Sequence, residues 1–437
     1  MPKRLPRVYG FGVVVTGALG VKRYVAPEKT STPRPKFLVT TPTLLRYFSE
    51  KGIDVNSVSC GFGFTLFNGS HHKLKRAIYG CGINSDGQLG HQTDHLHGPI
   101  SEGVQVDLVP EPRVLQIPQT STMSPRLMSC GRAHSLVVYQ DVELNRPILF
   151  SLGNNTFGQC AREIIEGEVF TSESAQVTKV AVECGQDHSL VLTDDGRVFS
   201  AGLGTDGQTG LGVTKCVDRL TQVRGCIEGF RIRHISSRGD TVLALTECGR
   251  LFAWGNNEYG QIWPVTDEVQ VLEPVELPIY EYVGANISAF PEGFTIGKIK
   301  RVAAAGSICG VLDEHGHVLV WGFGCLGLGP QVLQTPAPAL IPPALFTPAL
   351  PSSDNRLVDL VPGLHHFIVQ SKNGLLWSWG APRGGLACLG LGRVSNKGVD
   401  KAVKNAQTYP VPLSLPAEAV SVACGVDHTV VLAKSFA

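Results

Sequence analysis

A closed, all-β, seven-bladed β-propeller is the fold class this chain predicts, on three observations: a repeated segment, its long period, and two chain ends that complement each other. Seven segments lie close to Cys-Gly-x-x-His-Ser-Leu-Val-Leu, each followed by a turn, a β-rich run and a tail near Gly-Gln-x-Gly. The third shows the pattern whole: Cys184 to Leu192, the turn Asp195-Gly196, the run Val198 to Gly202, then Gly207-Gln208-Thr209-Gly210. The other units begin at Cys60, Cys130, Ser237, Ala304, Pro362 and Cys424, so successive starts lie 70, 54, 53, 67, 58 and 62 residues apart. Long periods built of short strands and glycine turns mark propeller blades. A β unit cannot bury its apolar faces alone, and a closed ring of stacked units leaves few open strand edges.

The ends of the chain argue for closure. In the third unit the strand after the Asp-Gly turn starts at Val198, 14 residues past the repeat Cys, and the same offset from Cys424 runs past Ala437. The absent strand is expected at the other terminus. There Val8-Tyr9-Gly10-Phe11-Gly12 and Gly17-Ala18-Leu19-Gly20 match the second half of a unit, as in His317 to Gly324. Residues 1–437 are therefore expected to form one propeller, with 1–20 completing the final blade together with about 415–437.

Composition agrees with a turn-rich β protein. Of 437 residues 43% are hydrophobic and only 7% aromatic, with 50 Gly and 28 Pro to supply hairpin positions. No apolar run approaches the ~18 residues of a membrane span. The 12 Cys include no Cys-x-x-Cys pair, and Cys60, Cys130, Cys184 and Cys424 occupy one slot in four units, where a small buried side chain packs well. A reducing compartment fits that usage. Net charge is +1, but the first 40 residues carry eight Lys or Arg and one Glu, whereas 258–292 carry seven acids and no Lys or Arg. Such polarity offers different surfaces to different partners.

The repeat, with steps such as Trp254-Gly255-Asn256-Asn257 and Asn84-Ser85-Asp86-Gly87-Gln88-Leu89-Gly90, resembles that of the regulator of chromosome condensation family across nearly the whole chain. Longer segments, among them Cys130 to Ser135, Ile341-Pro342-Pro343 and Cys424 to His428 with Ala433-Lys434-Ser435-Phe436, are similar to a mitochondrial branch of it. The resemblance implies a seven-bladed ring in the mitochondrial matrix or at the inner membrane. It further implies work in large ribosomal subunit biogenesis with ribosomal RNA and assembly factors such as pseudouridine synthases. The alternative it implies is guanine nucleotide exchange on a fusion dynamin-type GTPase. The basic stretch Met1 to Arg7 is too short to read as a clear presequence.

Chemistry-bearing motifs resolve mostly into structure. His134, His188, His366 and His428 share one repeat slot and are expected to donate buried hydrogen bonds to backbone. The cluster His91, Asp94, His95, His97 lacks zinc-type spacing. Gly202 to Gly207 and Gly322 to Gly327 fit a dinucleotide fingerprint by letters only, since neither opens a helix of a βαβ unit. No cofactor, metal, catalytic residue or membrane span is expected, and a closed ring can stand alone as a monomer. Inserted loops are the expected partner surfaces. Candidates are the acidic insert with Glu268, Glu273, Glu276, Glu281, Tyr280 and Tyr282, read as a wedge, and the Pro-rich insert with Pro342, Pro343, Leu345 and Phe346. Candidate RNA contacts, through phosphate, are Lys22, Arg23, Lys73, Lys75 and Arg76.

Overall fold

Each repeat Cys ends one strand and each repeat His begins the next, so the intervening Gly-x-x is a tight turn between two buried runs. In blade 3 these strands are Ala181–Cys184 and His188–Leu192, followed by Val198–Gly202 and Val217–Gln222, all antiparallel in chain order. The computed structural model describes residues 6–25, 37–71, 74–92, 96–97, 106–118, 120–164, 173–176, 181–263, 265–346, 356–383, 385–392 and 406–434. Among them are seven such sheets, blade 1 carrying an extra two-residue strand, Leu96–His97. First strands of neighbouring blades touch one another and line the axis, and fourth strands lie outermost.

The ring closes as the chain ends suggest. Arg7–Val13 pairs antiparallel with His428–Lys434, Tyr9 opposite Val431 and Gly12 opposite His428. Closure extends further than residues 1–20, because Leu38–Leu44 adds the outermost strand of the same blade, with Tyr9 opposite Leu44. Blade 7 thus takes two strands from each end of the chain.

The Gly-His spacing has a steric cause. A Cβ on Gly185 would sit 2.0 Å from His188 Cε1, and one on Gly131 would sit 2.2 Å from His134 Cε1. The imidazole lies flat against the turn and leaves no room for a side chain. Blade 1 keeps the glycine, Gly61, because the Phe64 ring takes the same place at 2.3 Å. Blades 4 and 5 have Thr241 and Ile308 at the ring position, and there the glycine is replaced, by Arg238 and Ala305. The third-strand glycine is needed for another reason: Gly202 has φ +115°, and a Cβ would come within 2.5 Å of the Asp187 carbonyl.

Two faces result. One carries the His turns and the Gly-Gln loops; the other carries the second turn of each blade and the connections between blades. In the Gly-Gln loops the Gln side-chain Oε1 accepts a backbone N–H, as Gln159 does from Phe157 at 2.9 Å and Gln261 from Tyr259 at 2.8 Å. Trp254 and Trp321, both fully buried, donate Nε1–H to the carbonyls of Gln208 and Gln261 in the preceding blade. No helix of the described residues is long and apolar enough to cross a membrane.

Candidate functional site on the repeat-loop face

The four repeat histidines bind the ring, and their partner is a hydroxyl of the next blade rather than backbone. Nε2 of His134 lies 3.0 Å from Ser189 Oγ, of His188 3.1 Å from Ser237 Oγ, of His366 3.3 Å from Thr429 Oγ1, and of His428 2.8 Å from Thr65 Oγ1. Each hydroxyl spends its proton on a carbonyl: Ser189 on Gln159, Ser237 on Thr241, Thr429 on Cys388, Thr65 on Ala18. The imidazole must then donate from Nε2, and for His134, His188 and His366, whose Nδ1 has no hydrogen-bond partner, the ring is the neutral Nε2–H tautomer. Burial pushes the pKa of His134, His188 and His366 down to about 3, in agreement with that state. For His428 burial also opposes charge, but neighbouring Cys60 and the Asp427 carboxylate, 3.2 Å from Nδ1, outweigh it and raise the pKa to about 10.

Inside the His ring lies the axis. Cys60, Cys130, Cys184 and Cys424 are all buried there, and burial pushes the Cys130 thiol up to about 12 and Cys184 and Cys424 higher. Cys130, Cys184 and Cys424 are thus inert, protonated thiols. Arg238, standing in the glycine slot of blade 4, reaches among them.

Around this axis the His turns and Gly-Gln loops present carboxylates. Asp240 is held by Gln186 Nε2 at 3.0 Å and Gln208 Nε2 at 3.3 Å. Burial, then Asp206 and Asp187, push its pKa up to about 6. Asp187 pairs with Arg132 through Nη2 at 2.7 Å, and Asp86 accepts from Asn154 at 2.9 Å. Among the described residues no group of three or more His, Cys, Asp or Glu side chains is placed to hold a metal ion. What this face can do chemically is attract positive charge; the Ser and Thr hydroxyls beside its imidazoles are buried and already donate to backbone carbonyls. Sequence reading passed over Asp86, Asp187, Asp206, Asp240 and Arg238. The available signals were an acid directly before the repeat His and an Arg in a glycine slot.

The acidic insert does not form a single wedge. Glu268 is exposed before the edge strand Gln270–Leu277, on the repeat-loop face, whereas Glu281 is exposed beyond that strand's other end, in the helix Ile279–Ala285. Eight strand residues at about 3.4 Å each separate them by roughly 25 Å. Glu273 lies over Gly212, whose Cβ would stand 2.7 Å from its Oε1. Glu276 is committed to Arg250, which donates through Nε at 2.5 Å and also through Nη2. Tyr280 accepts the Ile299 N–H at 3.0 Å, and Tyr282 packs edge-on to Trp263 at 4.4 Å. The insert is a packed cap on blade 5, since its aromatics are spent inward.

In the Pro-rich insert Pro342 and Pro343 are exposed, the latter opening a short 3-10 turn. Leu345 is half-buried. Phe346 corrects the expectation of a presented side chain: it is 3% exposed and meets Trp377 edge-on at 5.7 Å in the core. Of the basic candidates, Lys22 and Arg23 are exposed and join Arg46, Tyr24 and Tyr47 along a groove of about 390 Å³ between blade 7 and the outer strand of blade 1. Arg76 is exposed on the third strand of blade 1, outside that groove. Lys73 and the side chain of Lys75 lie outside the described residues.

The regulator of chromosome condensation (RCC1) repeat matches residues 77–138, 180–208, 232–261 and 373–432. The RCC1-like G exchanging factor-like proteins of Mus musculus and Homo sapiens are 38% and 37% identical to the chain, each over 99% of it and 88% of the relative. The crystal structure of human WBSCR16 superposes with a TM-score of 0.83 at 35% identity, covering 99% of this chain and 100% of that one. Yeast RCC1 (Prp20), solved bound to Kap60, shares the fold, with a TM-score of 0.70 at 17% identity over 100% of this chain and 90% of that one. Repeat, closure and likeness over the full length agree: the chain belongs to the RCC1 family, in the branch of the RCC1-like G exchanging factor-like proteins.

Proposed function

We propose that this protein is a non-catalytic interaction propeller of the mitochondrion that acts in biogenesis of the large ribosomal subunit, holding ribosomal RNA and assembly factors on fixed surfaces. The observation that carries the RNA contact is the groove where Lys22, Arg23 and Arg46 stand beside the half-buried Tyr47, three cations against the two carboxylates Glu50 and Glu111. Cations bind phosphate irrespective of sequence, and aromatic faces accept unpaired bases. Mitochondrial placement rests on the family branch alone.

The test is crosslinking of the tagged protein in mitochondria, with bound RNA sequenced. Large-subunit ribosomal RNA should be enriched, and the triple change Lys22→Glu, Arg23→Glu, Arg46→Glu should remove it. In vitro the same variant should flatten the salt dependence of RNA binding by about 2 to 3 in log-log slope. Normal large subunits after depletion, with no RNA captured, would sink the reading.

A second reading, guanine nucleotide exchange on a dynamin-type GTPase, is favoured by the acidic repeat-loop face and by the exchange-factor-like naming of the mouse and human relatives. Exchange needs no covalent chemistry from the propeller: by linkage, preferring the nucleotide-free GTPase weakens nucleotide binding by the same free energy. The surface to test is Asp187, Asp206 and Asp240 rather than the insert acids. Nucleotide release unchanged by reversing these three charges would remove it.

A further inference from the structure

The guanidinium of Arg238 sits on the propeller axis with few of its donors used. Its Nη1 donates to the Cys130 carbonyl at 3.4 Å, its Nε has no hydrogen-bond acceptor, and the Glu183 carboxylate is 3.9 Å away, beyond hydrogen-bonding distance. Arg238 and Glu183 side chains are only 16% and 19% exposed. An arginine carries five N–H donors and no acceptor, so a buried one left this open costs the fold.

The space beside it is small. A cavity of about 10 Å³ is lined by Arg238, by Phe62, Leu364 and Val426, and by the repeat cysteines Cys60, Cys130, Cys184 and Cys424. That volume is about one water-sized occupant. Burial keeps the Cys130, Cys184 and Cys424 thiols protonated, so they bring no counter-charge to the guanidinium; the Cys130 thiol already donates to the Ser59 carbonyl at 3.5 Å. Phosphate, sulfate and carboxylates are too large.

We propose that Arg238 and the surrounding thiols hold one monatomic anion, of the halide class, on the axis of the ring. The site exists because Thr241 replaces the repeat His in blade 4, which frees the glycine slot for an arginine. The anion ties together the His turns of blades 6, 7, 1, 2, 3 and 4, since the cavity is bounded by residues of those turns. Glu183 competes with it, because two anions beside one guanidinium repel.

The experiment is anomalous scattering from crystals of the full chain equilibrated with bromide in place of chloride. One bromide peak within hydrogen-bonding reach of the Arg238 guanidinium is expected. Arg238→Met should abolish it, and Glu183→Gln should raise its occupancy at the same bromide concentration. An empty axial cavity in the wild-type crystal, or density there with no anomalous signal, shows that water alone fills it and overturns the proposal. So does a peak that survives in Arg238→Met. If that variant does not fold, wild type and Glu183→Gln decide: a peak in neither, or one weakened by Glu183→Gln, also overturns it.

Discussion

Thr65 Oγ1 accepts from Nε2 of His428 at 2.8 Å and donates to the Ala18 carbonyl at 2.7 Å, so one hydroxyl joins the C-terminal strand, blade 1 and the N-terminal turn. It is the bond that joins blades 2 to 3, 3 to 4 and 6 to 7, applied to the seam where the ends meet. Thr65→Val keeps the shape and strands two buried polar groups, at about 1–3 kcal/mol each. Thermal unfolding should therefore fall by several degrees in Thr65→Val and stay near wild type in Thr65→Ser. Equal melting of Val and Ser variants would show that the seam does not depend on this bond.

Deleting residues 1–20 removes the strand that lies between His428–Lys434 and Leu38–Leu44. Both neighbours lose their ladder, and a blade edge opens. Light scattering should report aggregation on mild heating. A truncated chain with the wild-type melting temperature would contradict closure by the N-terminal strand.

The coupling of glycine to imidazole is testable by a double-mutant cycle. Gly185→Ala drives a methyl into His188, with contacts near 2.0 Å that the buried ring cannot escape. A cost of about 2–4 kcal/mol is expected, in the range of overpacked cores. His188→Thr alone leaves a cavity and frees Ser237. Together they pair a non-glycine turn residue with a non-aromatic one at the ring position, as blades 4 and 5 do with Arg238 and Thr241 and with Ala305 and Ile308, so the double variant should be more stable than the sum of the single effects. Strict additivity would mean that ring and turn do not share space.

Reading the chain, what could be seen was what repeats. The period, the Cys slot and the missing strand after Cys424 all have a local pattern, and each has a counterpart in the sheet order. What could not be seen was which blade a side chain turns towards. The hydroxyls of Ser189 and Thr65 follow a repeat ring directly in sequence, yet serve the ring of the preceding blade. The insert acids looked like one patch because they are close in sequence, but a strand carries Glu268 and Glu281 to opposite faces. Phe346 looked exposed because prolines surround it; the 3-10 turn Pro343–Leu345 aims it at Trp377.

Acid should unfold the ring through its histidines. His134, His188 and His366 are held neutral with pKa about 3, whereas in the unfolded chain they titrate near 6.5. Between those values the unfolded chain binds the protons and the native one does not, so stability falls as pH drops from 6.5 towards 3. Each group contributes about 1.4 kcal/mol per pH unit, or about 4 for the three. Denaturant titrations from pH 7 to 5 should show this slope, and His134→Phe should reduce it by about a third. A flat profile would mean that these imidazoles are not held neutral.

Asp240 carries the opposite sign. Its pKa is raised from 3.8 to about 6, chiefly by burial and then by Asp206 and Asp187. In that window the native chain keeps a proton that the unfolded chain has released, so this group makes stability fall as pH rises, and above 6 the full penalty remains. Asp240→Asn removes it and should stabilise the fold at pH 7.5 by about 1–3 kcal/mol, with little effect at pH 4. A carboxylate kept at a cost to folding is useful if a basic partner restores its ordinary pKa on docking. The same substitution should then weaken a GTPase partner by about tenfold, equivalent to ~1.4 kcal/mol, and wild-type affinity should drop as pH falls through 6. A variant that is stabilised yet binds as wild type would leave Asp240 without a part in recognition; one destabilised at pH 7.5 would show that its bonds to Gln186 and Gln208 outweigh its charge.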